Sequence, residues 1–273
     1  MIENLAGRPT YWDRAGHGAR VALMIHCSLA HSGAWRGLRG ALADDVTTLA
    51  YDLPGHGKSG AWDGQGDYQD ACLHAGLALL EREANGPVDV VGHSFGATVA
   101  LRLAQEVPER VRSLTLYEPV LFAAAKDHPA FARNADYMNG VFADAMRAGD
   151  LLEAARLFNA QWGSDAGWEA LPKRMKQDMA DRIHLIPAAR NVTHEDAHGQ
   201  VAPGALEALS CPVMLMEGER SPDLVRAVHD ELAQRIPGAT RQVIANAGHM
   251  GPISHPQDMA AGLRAFLPED ARV

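Results

Sequence analysis

Apolar residues in this chain come in short, nearly unbroken runs: RVALMI over Arg20–Ile25, VTTLAY over Val46–Tyr51, PVDVV over 87–91, VRSLTLY over Val111–Tyr117 and CPVMLMEG over 211–218. Runs of this length, lacking the strict alternation of a half-exposed strand, predict strands buried on both faces, as in a parallel sheet. A shorter strand-like run, RQVI, lies at 241–244. The stretches between change to helical spacing, clearest at 97–105 and Pro256–Phe266. Strand and helix alternate from 19 to 119, and from 212 onward two more strands and two helices follow. That order predicts an α/β fold, a mostly parallel doubly wound sheet flanked by helices. Residues 121–210 are different. They carry helical periods, as at 131–147 and Leu151–Trp162, and no strand candidate. The predicted division is a core of 1–120 and 211–273 with a helical cap, 121–210, inserted between. A cap so placed would exclude water and shape a pocket. Phe122, Trp162, Trp168 and Met250 are candidates to line it.

The run at 87–91 leads straight into Gly92-His93-Ser94-Phe95-Gly96, and the helical period begins at Ala97. Strand, sharp turn and helix form the context in which a G-x-S-x-G serine has its hydroxyl pushed clear of both elements. With 26 glycines in 273 residues the five-residue pattern alone means little, and the flanking elements give it its weight. A nucleophilic serine needs a base, an acid to orient that base, and donors for an oxyanion. His249 is the candidate base. It follows the strand at 241–244, sits beside Gly248 in a loop, and precedes the closing amphipathic helix.

After Arg20–Ile25 comes a loop of small and polar residues, His26-Cys27-Ser28-Leu29-Ala30-His31-Ser32-Gly33-Ala34-Trp35. Together with the elbow and the His249 loop it makes the chain resemble the α/β-hydrolase family, whose His-Gly-x oxyanion loop it matches. The resemblance implies that the backbone N–H groups of Ser28 and Phe95 form the oxyanion hole. Cys27 stands where the family has glycine, which narrows the backbone geometry open to the loop. Asp52-Leu53-Pro54-Gly55-His56-Gly57-Lys58-Ser59 resembles the family's D-x-P-G-x-G-x-S turn. The glycines there make a tight bend, and the match implies a structural role for His56.

The acid departs from the family pattern. Its usual place, shortly after the strand at 211–218, is Ser221 here, and a hydroxyl cannot hold an imidazolium as a carboxylate does. Glu118, Asp223 and Glu219 are the candidates to replace it. Glu118 is ranked first, because it ends the strand Val111–Tyr117, a position where relatives such as the haloalkane dehalogenases place their acid. Asp223 is the alternative.

The formal net charge of -9 disfavours nucleic acid and anionic membranes as partners. Cys27, Cys72 and Cys211 show no paired spacing, which points to a reducing, cytoplasmic setting. The first residues show neither basic start nor apolar core of a signal peptide, and no run has the length of a membrane span. His194-Glu195-Asp196-Ala197-His198 formally matches the H-E-x-x-H zinc motif. Gly199 follows at once and no long apolar helix carries it, so a solvated connector is the better expectation. The expected protein is a serine hydrolase forming an acyl-enzyme on Ser94 from a small ester or lactone, with no metal or organic cofactor. A small molecule is its partner, and a homodimer is left open. Ser94 speaks against epoxide hydrolases and dehalogenases, whose elbow carries an Asp. The alternatives are a carbon-carbon bond hydrolase of ring-cleavage products and a non-catalytic ligand-binding protein on the same fold.

Overall fold

The computed structural model describes residues 1–164 and 166–267. Eight strands form one sheet: β1 (Ile2–Leu5), β2 (Arg8–Ala15), β3 (Arg20–Ile25), β4 (Val46–Tyr51), β5 (Val88–His93), β6 (Val111–Tyr117), β7 (Val213–Gly218) and β8 (Thr240–Ile244). Their order across the sheet is β1-β2-β4-β3-β5-β6-β7-β8. From β4 to β8 all neighbours run parallel. Every residue of β4, β5 and β7 is buried, as a sheet covered on both faces requires.

The first two strands form an antiparallel hairpin that adds to the edge of β4. Ala6 and Gly7 make its two-residue turn, both at positive φ (50° and 82°), as a type I′ turn demands. The long apolar runs do not mark this hairpin, although Thr10 and Trp12 point inward at a period of two.

Helices α1 (Arg36–Ala41), α2 (Tyr68–Glu83) and α3 (Phe95–Glu106) connect the first half of the sheet. The chain between β6 and β7 folds as α4 (Pro129–Tyr137), α5 (Ala143–Arg147), α6 (Leu151–Trp162), α7 (Lys173–Arg182), α8 (Leu185–Ala188) and α9 (Arg190–Thr193). Then α10 (Asp223–Arg235), α11 (Gly251–Ser254) and α12 (Pro256–Phe266) complete the fold. One core cluster joins α2, α3 and α10 to one face of the sheet, and a second joins α1 and α12 to the other. The helical segment has a small core of its own, built on Phe142, Ala154, Ala155 and Ile183.

The helix expected over 131–147 is broken. Between α4 and α5 the backbone widens to a π turn at Met138–Phe142, where Gly140 leaves helical geometry (φ −89°, ψ −109°). Glycine is a weak helix former, and kinks of this kind collect at glycines and π turns.

Because the chain runs from β3 outward to β4 and returns to β5 on the other side of β3, the strand order reverses there. A crevice opens at the carboxyl ends of strands at such a point, and it is where ligands sit in open α/β sheets. The loop after β3 carries Ser28, and Ser94 lies immediately beyond β5.

Candidate active site

Ser94 joins β5 to α3 with φ 57° and ψ −120°, outside the helical and extended regions. A Cβ on Gly92 would lie 2.5 Å from the Ala97 Cα, and one on Gly96 would lie 2.2 Å from the Ile25 carbonyl oxygen. The two glycines are thus what lets strand, helix and β3 close around the turn. Ser94 donates its backbone N–H to the Tyr117 carbonyl at 2.9 Å, which ties the turn to β6.

One residue past Tyr117, Glu118 is fully buried at φ 48°. This left-handed backbone is strained for a side chain with a Cβ, at a cost of about 1–2 kcal/mol. Its carboxylate spans two partners. Oε2 lies 2.6 Å from Nδ1 of His249, and Nε2 of the same ring lies 3.0 Å from Oγ of Ser94. Oε1 accepts the Gly218 N–H at 2.7 Å and the Ser221 hydroxyl. Burial pushes the Glu118 pKa up, yet the bonds from His249, Ser221 and Gly218 outweigh it and hold it below the usual carboxylate value. A carboxylate on Nδ1 fixes the tautomer in which Nε2 can take a proton from the serine.

The other two carboxylates lie elsewhere. Asp223 starts α10 with its side chain 78% exposed and faces Arg133 at 3.7 Å. Glu219 accepts the Asn246 N–H at 2.8 Å on the surface. Ser221 brings only its hydroxyl to the site, through Glu118.

Several residues brace the site, some without a recognisable signal of their own, such as His93 and Tyr117, and others, His56 and Asp52, within the 52–59 turn. His93 points its Nε2 at the His249 carbonyl, 2.8 Å away, so that nitrogen carries the proton and donates. Tyr117 donates its hydroxyl to the Gly248 carbonyl at 2.8 Å. Behind the β3 loop, His26 donates Nδ1–H to the Cys27 carbonyl at 2.7 Å and accepts the Leu53 N–H on Nε2 at 2.9 Å. His56 accepts the Leu29 N–H at 2.9 Å, and Asp52 accepts the N–H of Ser32 (2.7 Å) and Lys58 (2.8 Å). The two histidines are neutral: burial pushes His26 down to about 4 and His56 well below its ordinary value. The 52–59 turn thus holds the loop carrying Ser28, with Leu29 at φ 62°. Phe95 is the first residue of α3, where N–H groups have no partner within the helix.

A cavity of about 340 Å³ opens over Ser94, Ser28 and Phe95. Phe122, Met138, Phe142, Phe158, Trp162 and Ile186 give it largely apolar walls. Trp162 meets the His249 ring edge-to-face at 5.0 Å and stacks on Phe122 at 5.4 Å. Of the four expected lining residues, Phe122 and Trp162 face this space. Trp168 instead packs against the small helical core and under the Lys176 ammonium, and Met250 is not in the wall.

The H-E-x-x-H residues do not converge. α9 ends at Thr193 and Asp196 takes φ 50°, so the two histidines share no helix face. His194 enters the cavity wall, 3.3 Å from Asn134 Oδ1, while His198 turns to Asp67 at 3.1 Å. The expectation of a solvated connector therefore fails for His194. Asp67, Asp70 and His198 do lie within 4.8 Å of one another. The Arg102 guanidinium, 2.6 Å from Asp70 Oδ1, already supplies that group's positive charge. No helix among the described residues is long and apolar enough to cross a membrane.

A family model described as "Alpha/beta hydrolase family" matches residues 22–262. Among curated proteins, the chain is 30% identical to lipase LipV of Mycobacterium tuberculosis, over 91% of this chain and 93% of that protein. It is 28% identical to the pimeloyl-[acyl-carrier protein] methyl ester esterase of Aeromonas salmonicida, over 93% and 98%. It is also 31% identical to the dihydrolipoyllysine-residue acetyltransferase component of the acetoin cleaving system of Cupriavidus necator, covering 94% of this chain but 66% of that protein. In fold it is similar to MGS-M2, an alpha/beta hydrolase enzyme from a Medee basin deep-sea metagenome library, with TM-score 0.79, 17% identity and all of both chains covered. A hydrolase from Pseudomonas aeruginosa PA01 superposes with TM-score 0.78 at 20% identity, over 98% of this chain and 97% of that one.

Proposed function

The chain belongs to the alpha/beta hydrolase family and is an ester-hydrolysing enzyme, and we propose that it cleaves small carboxylic esters, or lactones, through an acyl-enzyme on Ser94. The observation that carries this is the unbroken relay from Glu118 through His249 to Ser94, at 2.6 and 3.0 Å, opening on an apolar cavity. The residues between β6 and β7 act as a cap whose walls hold the apolar part of the substrate away from water.

In this mechanism Ser94 Oγ attacks the ester carbonyl while His249 Nε2 takes its proton. Glu118 holds the ring and offsets the charge of the imidazolium. The N–H groups of Ser28 and Phe95 receive the oxyanion as the carbonyl oxygen turns negative. His249 returns the proton to the leaving alcohol, then activates water to release the acid and free Ser94.

The test is hydrolysis of p-nitrophenyl butyrate and hexanoate, with simple lactones alongside, by wild type and Ser94→Ala. Turnover should fall by about 10⁴-fold or more in the variant, with an unchanged circular dichroism spectrum. A fluorophosphonate should label wild type alone. A folded Ser94→Ala protein that keeps activity within about tenfold of wild type would move the chemistry to another residue.

A further inference from the structure

Among the polar residues that interrupt the cavity's apolar wall, Asn134, Thr193 and His194 bond to one another, while Asn139, Arg147 and Arg190 also reach the wall, the two arginines facing acids of their own, Asp144 and, at 3.4 Å, Glu195. Asn134 of α4 gives one amide N–H to Gln161 Oε1 at 3.0 Å, and its oxygen faces His194 Nε2 at 3.3 Å. With that nitrogen protonated, Nδ1 is the acceptor, and the Thr193 hydroxyl donates to it at 2.8 Å. An amide has two N–H groups and two oxygen lone pairs, so one of each on Asn134 remains uncommitted among the described residues. Asn134, Thr193 and His194 all face the cavity that contains Ser94. A ladder of rings links the cluster to the catalytic histidine: Trp162 lies edge-on to His249 at 5.0 Å, Phe122 stacks on Trp162 at 5.4 Å, and His194 meets Phe122 at 5.0 Å. Burial, with the Arg190 charge nearby, pushes His194 down to about 4, so the cluster is neutral at pH 7.

We propose that Asn134, Thr193 and His194 form a subsite for an uncharged carbonyl or hydroxyl group, carried by the substrate at the far end of a short alkyl spacer from the scissile ester. The proposal rests on the ester-hydrolase reading above and narrows its substrates to oxo- or hydroxy-substituted esters. A purely aliphatic chain would cover the cluster and leave its spare amide N–H without a partner, a penalty of the size of a lost hydrogen bond. A terminal carbonyl supplies that partner.

The experiment compares kcat/KM within two substrate pairs, p-nitrophenyl 5-oxohexanoate against p-nitrophenyl hexanoate, and 4-oxopentyl acetate against pentyl acetate. The pairs place the polar group on the acyl and the alcohol side in turn. In one pair wild type should favour the oxo substrate by about tenfold, the discrimination of one net hydrogen bond. His194→Phe, which fits beside Phe122 and Phe131, should bring that ratio close to one, with the loss falling on the oxo ester; Asn134→Leu should do the same. A wild-type ratio near one in both pairs overturns the proposal. So does a preference that survives both substitutions, or an equal loss on both members, which marks a purely structural cluster. Failure of the ester-hydrolase reading shows differently, as no turnover of any ester and no fluorophosphonate labelling. Calorimetry then decides the subsite: 5-oxohexanoate binding more tightly than hexanoate in wild type and not in His194→Phe supports it, and equal binding overturns it.

Discussion

The carboxyl ends of β6 and β7 lie side by side, with Tyr117 paired to Met216, yet they bring opposite chemistry to the same place. β6 delivers a carboxylate one residue beyond its end, at Glu118. β7 delivers donors, the Gly218 N–H and the Ser221 hydroxyl, and both go to Glu118 Oε1. In the family pattern the second position holds the acid; here it holds donors, and under the proposed function the carboxylate comes from the β6 end. An imidazole needs a negative partner on one nitrogen, and either strand end can supply it provided the neighbour becomes a donor. This arrangement has a conformational cost, since Glu118 must sit at φ 48° to aim its longer side chain across.

Removing charge from the β6 end is the strongest way to break this comparison. Glu118→Gln keeps the shape but offers His249 an amide that can present its N–H to the ring and favour the wrong tautomer. At saturating p-nitrophenyl hexanoate kcat should fall by about 10³ to 10⁴-fold, the size seen when other triads lose their acid. Adding Ser221→Asp to that variant should restore about tenfold or more, because the carboxylate returns from the β7 end. A double variant as slow as Glu118→Gln alone would show that only the β6 backbone can present the acid. A Glu118→Gln protein within threefold of wild type would mean that Ser94 and His249 work as a dyad.

Acid separates the carboxylate from the buried histidines. Burial holds His26, His194 and His229 at about 4, below the ordinary 6.5. Between those values the unfolded chain binds more protons than the folded one. The stability these neutral rings give is complete above about pH 6.5 and is lost as pH falls toward 4, by up to about 1.4 kcal/mol per pH unit for each ring. Glu118 is depressed from 4.5, so its contribution is present above that value and lost only as pH falls through its lower folded pKa. The urea midpoint should therefore drop steadily from about pH 6.5 to 4.5, before Glu118 titrates. His229 in α10, whose two ring nitrogens lack a hydrogen-bond partner among the described residues, is the ring to remove: His229→Leu should make the decline shallower. A midpoint flat over this range would contradict the neutral assignments.

Much of the framework is legible in the chain because central parallel strands are buried on both faces and leave unbroken apolar runs. The N-terminal hairpin is harder to see: its strands are half exposed, so Arg8, Asp13 and Arg14 dilute the signal of Thr10 and Trp12. The helix expected through 131–147 fails at Gly140, a single glycine inside an otherwise helical period that leaves helical geometry at a π turn. At the site, the elbow and the His249 loop stand out through their glycines. Three carboxylates compete on the page of the sequence, and geometry separates them: Glu118 faces His249 from a buried strand end, while Asp223 and Glu219 face solvent. The structural role of His56 is legible from the 52–59 turn, but the braces His26 and His93 are not legible as braces, because what defines them is a tautomer and a backbone partner.

A milder cut tests the donor side. Ser221→Ala removes one of the two bonds to Glu118 Oε1 among the described residues and leaves the Gly218 N–H in place. The carboxylate stays charged and stays aimed at His249, so kcat should fall only about threefold to tenfold. Stability should drop by about 1.5–3 kcal/mol, the usual loss for a hydrogen bond to a charged group, read as a shift in urea midpoint. A loss as large as that of Glu118→Gln would make Ser221 an equal partner in the relay.

The smallest effect belongs to the carboxylate nearest in sequence to the family's usual acid position. Asp223 stands two residues after Ser221, but its side chain is 78% exposed and its contact is Arg133 at 3.7 Å, across to α4. An exposed pair of this kind is worth about 0–1 kcal/mol and is screened by salt. Asp223→Asn should accordingly leave kcat and KM within about twofold of wild type. A drop of a hundredfold or more, larger than that of Glu118→Gln, would return the acid to the β7 side and require the α10 turn to refold inward when substrate binds. The Gly218 amide and the Ser221 hydroxyl argue against that movement, since both are already committed to Glu118 and would lose their acceptor as the turn rearranged.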